Sequence, residues 1–294
     1  MLGVVNLDKP VGPTSHDMVA LVRRLTRMRR VGHAGTLDPL ASGVLPILVG
    51  AATRLSEELT GGTKAYEAVV RLGWRSASDD AEGPFSRGGA PPSLDEVDAA
   101  LSLFTGTFLQ RPPRFSARKL HGRPAYWAAR QGRPAELPAR SVRVDALQLR
   151  SAESAEGRLD LHLYVRCAAG TYVRSLARDI GERLGCGGYL ASLRRTAAAG
   201  LRVEDGVSPQ ALESLALEGR LHEAVLPLES VLTLPTVDLD PAAAAAFGHG
   251  LTVAAGTSVS AGRYQVRAAG ELLGLGEVAD GRIQPVKVLL AANR

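Results

Sequence analysis

The chain of 294 residues is 45% hydrophobic and 22% charged, with a formal net charge of +5. This composition excludes a disordered or fibrous protein, and the length exceeds the roughly 100 to 200 residues of a typical domain, so a large domain with a smaller one is expected. Two isolated cysteines, Cys167 and Cys186, exclude a disulfide framework. No apolar run reaches membrane-spanning length, so a cytoplasmic protein without membrane association is expected.

Gly3 to Leu7 reads as a short buried strand stopped by Lys9, Pro10 and Gly12; Thr14 and Asp17 then form a capping-box pattern for a helix running to about Arg29. Met18, Val22 and Leu25 recur at helical spacing. Arg23, Arg24, Arg27, Arg29 and Arg30 fall largely on the other face, where phosphates can be met. Gly32 to Gly43 is a loop by its glycines and proline, and Val44 to Val49 an apolar strand. Lys64 to Gly73 alternates as a strand, Ser76 to Pro92 is a polar surface loop, and residues 93–104 resume a helical pattern.

Gln110 to Arg143 is loop-like and strongly basic, with prolines interleaved with Phe115, Tyr126 and Trp127. Two readings fit it: an RNA-gripping excursion, or an irregular insertion whose aromatics anchor it to the core. A strand at Arg158 to Cys167, a helix at Tyr172 to Leu184 ended by Gly185, and the segment Tyr189 to Arg195 follow. The fold class is therefore α/β of the α+β type, a mixed, largely antiparallel sheet with flanking helices. Beyond about Leu234 come strand signals at Leu251 to Val253, Arg263 to Ala268, Leu272 to Val278 and Ile283 to Leu290, interrupted by helix-prone Ala242 to Phe247; they predict a small β-barrel.

Phosphate-loop, dinucleotide, zinc-protease and hydrolase-elbow motifs are all missing, and the histidines are scattered singly, so no metal site is expected. Asp38 stands out in its glycine-flanked loop because Pro39 biases it towards an extended backbone and fixes its direction. By itself Asp-Pro is an ordinary turn-initiating pair.

The surrounding string is more specific: Asn6 to Pro10 with Gly12, Thr14 and Ser15, then Val31-Gly32-His33-Ala34-Gly35-Thr36-Leu37-Asp38-Pro39-Leu40-Ala41-Ser42-Gly43-Val44-Leu45-Pro46. It continues with Lys64-x-Tyr66, Pro112-Pro113 through Ser116-Ala117-x-Lys119 and Gly122, Gly170 to Leu176, and Leu193-Arg194-Arg195. These motifs closely resemble the bacterial tRNA pseudouridine-55 synthase (TruB) family, as far as about residue 207. Leu272 to Val278 and Pro285 to Leu289 are similar to the small RNA-binding barrel called PUA. One departure is Ala197 to Leu201, where the family shows a more polar run ending in Gly-Phe and Leu201 takes the aromatic's place.

The resemblance implies a pseudouridine synthase domain over residues 1–231, with the basic insertion at about 110–143, and a PUA-like RNA-binding domain over 232–294. It implies isomerisation of the T-loop uridine at position 55 of tRNA without a cofactor, in which Asp38 attacks C1′ or C6 or promotes loss of the 2′ proton through a glycal. By the same resemblance Arg174 pairs with Asp38, and Tyr66 stacks on the target base and assists proton transfer. His33 occupies the space left by the flipped base, and Lys9, Pro10, Tyr172 and Leu193 surround the base pocket. Without the family, Tyr66 reads as core and Arg174 as a surface charge.

The implied partner is the tRNA T arm, bound by a stand-alone monomer; the lack of a basic extension before Leu2 disfavours a guide-RNA-directed enzyme. A uracil C5-methyltransferase needs a cysteine and a methyl-donor site, and neither cysteine lies in the motif-dense loop. An RNA-binding module with an idle site is disfavoured by intact Asp38, Tyr66 and Arg174.

Overall fold

In the computed structural model, which describes residues 1–113, 115, 119–120, 123–124, 137–256 and 259–289, the elements begin with β1 (Gly3–Lys9), α1 (Ser15–Thr26), β2 (Val31–His33), β3 (Ala41–Val49), α2 (Ser56–Thr60) and β4 (Lys64–Leu72). There follow β5 (Trp74–Ser76), β6 (Phe85–Arg87), α3 (Leu94–Ser102), β7 (Gly106–Gln110), and the short β8 (Lys119–Leu120) and β9 (Arg123–Pro124). Then come β10 (Arg140–Ala155), β11 (Arg158–Cys167), α4 (Val173–Arg183), β12 (Gly188–Ala198), β13 (Leu201–Arg202) and α5 (Pro209–Leu217). The C-terminal elements are β14 (Thr236–Asp238), α6 (Pro241–Gly248), β15 (Val253–Ala254), β16 (Gly262–Ala268), β17 (Glu271–Ala279) and β18 (Arg282–Val288).

The large sheet runs β1-β3-β12-β4-β11-β10-β7, with β2 on β3 and β13 on β12. Only β12 and β3 run parallel within it, so the expected mixed, largely antiparallel sheet is present. Alternation along β4 turns Tyr66, Ala68, Val70 and Leu72 to one face, where they pack with Val97 and Leu101 of α3 and Leu176, Ala177 and Ile180 of α4. Leu7, Leu45 and Ile47 pack with Met18, Val19 and Val22 of α1 and Leu212 of α5. Register sets Tyr66, Arg195 and Gly43 side by side across β4, β12 and β3, at the seam between these two packed regions.

Val4, Val44 and Leu48 point the other way and share a buried cluster with Leu272, Leu275 and Leu289 of the C-terminal part. Leu201 is buried in the same cluster, so an aliphatic side chain fills the aromatic's place. The second sheet, β14-β16-β17-β18-β15, encloses Phe247 with Val237, Val266, Val278 and Ile283, which is the expected small C-terminal sheet domain. No helix among the described residues is long and apolar enough to cross a membrane.

Four expectations need correction. The α1 helix stops at Thr26, short of Arg29, because Arg27 turns left-handed with φ 54°. Within Gly32 to Gly43, Val31, Gly32 and His33 pair with Val49, Leu48 and Ile47, and β3 starts at Ala41, so the loop shrinks to 34–40. The segment Ser76 to Pro92 contributes to the β5/β6 hairpin and buries Ser78, Asp79 and Asp80. The basic excursion yields to β10 at Arg140; Ser116, Ala117, Gly122, Tyr126 and Trp127 lie outside the described residues.

Gly181 of α4 faces the backbone leading into β12, where an added Cβ would lie 2.2 Å from the Gly188 nitrogen and 2.3 Å from the Gly187 carbonyl carbon. Backbone cannot move aside as a side chain can. Gly181→Ala should therefore cost about 1–3 kcal/mol of stability, seen in urea as a lower midpoint with an unchanged slope; a midpoint equal to wild type would refute this packing.

Candidate active site

The loop carrying Asp38 is held on both sides. Ala34 N–H donates to the Pro46 carbonyl (2.9 Å), Gly12 N–H to the Pro39 carbonyl (2.8 Å) and Ala41 N–H to the Asp38 carbonyl (3.0 Å). Buried Ser15 at the start of α1 accepts from Leu37 N–H at 2.8 Å and donates to the Leu37 carbonyl at 2.9 Å. Arg195 donates through Nη2 to the Gly35 carbonyl (3.0 Å) and through Nε to the Val44 carbonyl (2.6 Å), tying the loop to β3 and β12. Asp38 thus sits on a fixed support with its side chain 39% exposed.

Arg174 enters from the first turn of α4. Its Nη2 lies 2.9 Å from Asp38 Oδ2 and its Nη1 3.2 Å from Asp80 Oδ2. Nη2 also donates to the Phe115 carbonyl at 2.9 Å. The Arg174 side chain is 7% exposed, so the surface-charge alternative does not hold. Asp80, 4% exposed, is the residue the sequence did not disclose; its Oδ1 accepts from Ser78 Oγ (2.5 Å) and Glu82 N–H (3.1 Å). The acidic run Asp79-Asp80 inside a polar loop was its only signal. The arrangement places one guanidinium between a buried carboxylate and a solvent-facing one.

Asp38, Tyr66, Arg174, Tyr172 and Leu193 line one cavity of about 320 Å3, within the size of small-molecule clefts. Tyr66 is the buried member of this lining, and burial pushes its phenol up to about 12, so at neutral pH it keeps its proton. Tyr172 precedes α4 in extended backbone. Buried Gln110 grips it twice, accepting from Tyr172 N–H at 2.9 Å and donating to its carbonyl at 3.2 Å, and the Arg140 guanidinium lies 5.0 Å from its ring centre. No sequence signal marked Gln110, a single amide at the end of a strand.

His33 lines an adjoining depression that shares Gly35, Thr36 and Thr60 with the cavity. Burial, with His16 and Arg195 nearby, holds its imidazole below the usual range and hence neutral at pH 7. Lys9 does not line the cavity: it is buried, donating to the Pro10 and Pro13 carbonyls at 2.8 Å each, while Pro10 is exposed on that turn. A larger cavity of about 670 Å3 includes Asp79, Arg178 and Asp179, but these groups are engaged with one another, Arg178 pairing with Asp79 at 2.9 Å and Asp179 at 2.7 Å.

Residues 23–173 match the family profile described as TruB family pseudouridylate synthase (N terminal domain), and residues 174–233 and 235–289 match two TruB C-terminal profiles. A protein of Solibacter usitatus named tRNA pseudouridine synthase B is 41% identical over 291 residues, 95% of this chain and 96% of its own. Its namesake from Burkholderia lata is 41% identical over 298 residues, 99% of this chain and 91% of its own. A chain in the crystal structure of a Cbf5-Nop10-Gar1 complex superposes with a TM-score of 0.74 at 28% identity, over 98% of this chain and 85% of that one. Profile matches from residue 23 to 289, full-length identity and a carboxylate–arginine pair over a buried tyrosine agree: the chain belongs to the TruB family of pseudouridylate synthases.

Proposed function

We propose that the chain is a tRNA pseudouridine synthase that isomerises the T-loop uridine at position 55, with Asp38 as its catalytic carboxylate and the target base flipped into the cavity. The observation that carries this is the Asp38–Arg174 contact of 2.9 Å in the cavity that the buried Tyr66 also lines. Isomerisation breaks the bond between C1′ and N1, turns the base and joins C1′ to C5, which needs a carboxylate, a surface to hold a detached ring and exclusion of water. Asp38 supplies the first. Tyr66, Tyr172 and Leu193 supply the second, and the protonated Tyr66 hydroxyl acts as a donor to the base. Attack at C1′, attack at C6 and the glycal route all begin from this geometry.

His33, neutral and at the cavity's edge, fills the place of the flipped base, and Lys9 with Pro10 holds the turn beside the Asp38 loop. The large sheet and its helices, residues 1–231, form the catalytic part, and residues 232–294 are the RNA-binding part. The enzyme works in the cytoplasm as a monomer, without a guide RNA. A cysteine-based methyl transfer finds no nucleophile: Cys167 is buried and burial pushes its thiol up to about 11, and Cys186 is buried too.

Because C5 loses its hydrogen on joining C1′, a tRNA transcript carrying 5-tritiated uridine reports turnover directly. Wild-type protein should release one equivalent of tritium from the intact transcript and none when position 55 is cytidine. Release that is indifferent to that replacement would refute the site assignment. The exposed Arg23, Arg27, Arg29 and Arg30 meet phosphate, so raising salt from about 50 to 200 mM should weaken tRNA binding roughly fortyfold if three phosphates are contacted. A salt-independent dissociation constant would remove those arginines from the interface.

A further inference from the structure

Three cations in or beneath the active-site cavity, Lys9, Lys64 and Arg195, are buried and form no ion pair among the described residues. The Lys64 ammonium donates to the Thr60 carbonyl (2.7 Å) and the Gly62 carbonyl (2.9 Å), and among the described residues Arg195 is held by main-chain carbonyls and by the neutral Tyr66 hydroxyl. Carbonyl acceptors satisfy the hydrogen bonds and leave the charge in place, and a buried uncompensated charge is costly. Lys64 and Arg195 line the cavity itself and meet at Gly35, where an added Cβ would lie 3.6 Å from both Arg195 Nη1 and Lys64 Cε.

The carboxylates do not cancel this charge. Asp38 and Asp80 share Arg174 and carry one net negative charge against the three positive ones, and Asp17, the other carboxylate that acts on Lys9, is fully exposed and screened by solvent. Beside Lys64 and Arg195, Tyr66 and Cys167 hold their protons and His33 is neutral, so none of them supplies a negative charge. Lys64 is brought down to about 8 by burial and by Arg195, and is still mostly charged at pH 7. The site therefore awaits an anion that the resting protein lacks.

We propose that Lys64 and Arg195, backed by Lys9, form an anion-stabilising site for the uracil ring at the stage when its bond to ribose is broken, Lys64 being a further catalytic residue. This rests on the pseudouridine synthase function proposed above. If Asp38 attacks C1′ or the 2′ proton is lost, the C1′–N1 electron pair leaves with the base. If Asp38 attacks C6, the C5=C6 pair moves to form C4=C5 and the C4 carbonyl pair moves onto O4. Each route places one negative charge on the ring, at N1, O2 or O4. The balance closes when C5 bonds to C1′, the bond from Asp38 to C1′ or C6 breaks (or, on the glycal route, Asp38 returns the proton to C2′), the C5 proton departs and N1 takes one up. Cations fixed before the reaction stabilise such charge without reorganising.

Lys64→Gln keeps a donor for the Thr60 and Gly62 carbonyls and removes the charge; Lys64→Arg keeps the charge. Single-turnover conversion of the target nucleotide is measured by chromatography of digested RNA, on transcripts with uridine or 5-fluorouridine at position 55. Fluorine disperses ring charge and lessens the need for a cation. Lys64→Gln should lower the uridine rate about 100-fold, lower the 5-fluorouridine rate at least several-fold less, and leave the tRNA dissociation constant within about threefold. Lys64→Arg should recover most of the rate. Equal losses on both transcripts, a loss carried by affinity, a Lys64→Gln rate close to wild type, or an arginine variant no better than glutamine would each overturn the proposal. If Lys64→Gln does not fold, Lys64→Met, whose chain suits the buried stem, is held to the same comparison. A wild type that fails to convert uridine contradicts the proposed function itself; an active wild type with an unaffected Lys64→Gln contradicts only the anion site.

Discussion

Arg174→Met should lower tRNA turnover about a thousandfold and destabilise the fold by roughly 3 kcal/mol, whereas Arg174→Met combined with Asp80→Asn should recover much of the stability and none of the turnover. The two losses have different sources. Removing the guanidinium leaves Asp80 as a buried carboxylate, 4% exposed, held only by Ser78 Oγ and Glu82 N–H. Asparagine in its place keeps an acceptor for both donors and removes the unpaired charge, which is why stability returns. Asp38 is 39% exposed and gains little stability from the pair, so its loss of Arg174 appears in catalysis. Urea unfolding and single-turnover rates on the two variants separate these effects. If the double variant regained turnover, Arg174 would be a structural partner of Asp80 and nothing more.

That division explains what was legible in the sequence. Asp38, Tyr66 and Arg174 stood out because each lies inside a string of specific neighbours, and the structure brings all three to one cavity. Asp80 lies in a stretch whose polar, glycine-rich composition reads as solvent-facing; its buried partner, the second terminal nitrogen of Arg174, is 94 positions away. Gln110 is comparable, since its two hydrogen bonds go to the backbone of Tyr172, and backbone partners leave no trace in side-chain patterning. Lys64 and Arg195 were visible as parts of motifs, but burial without a counter-ion is a property of three dimensions.

The fold shows the same boundary. Strands with unbroken alternation, such as β4, were readable, whereas β10 has register shifts between Val144 and Ala146 and between Leu149 and Ser151, which break the period of two on which recognition depends. The end of α1 is hidden in the sequence because the left-handed residue that stops it is Arg27 and not the usual glycine.

If the Asp38 carboxylate performs the chemistry, Asp38→Asn isolates its contribution. Asparagine has the same shape and keeps the side-chain oxygen that accepts from Arg174, and the site is open enough to tolerate the change, so folding and tRNA binding should stay within about threefold of wild type. It can neither attack carbon as a carboxylate nor serve as a base. Tritium release from 5-tritiated uridine in the T loop should then fall by at least about 10,000-fold, the order of loss when a catalytic nucleophile is removed. Release by Asp38→Asn within a hundredfold of wild type, with binding intact, would contradict the account.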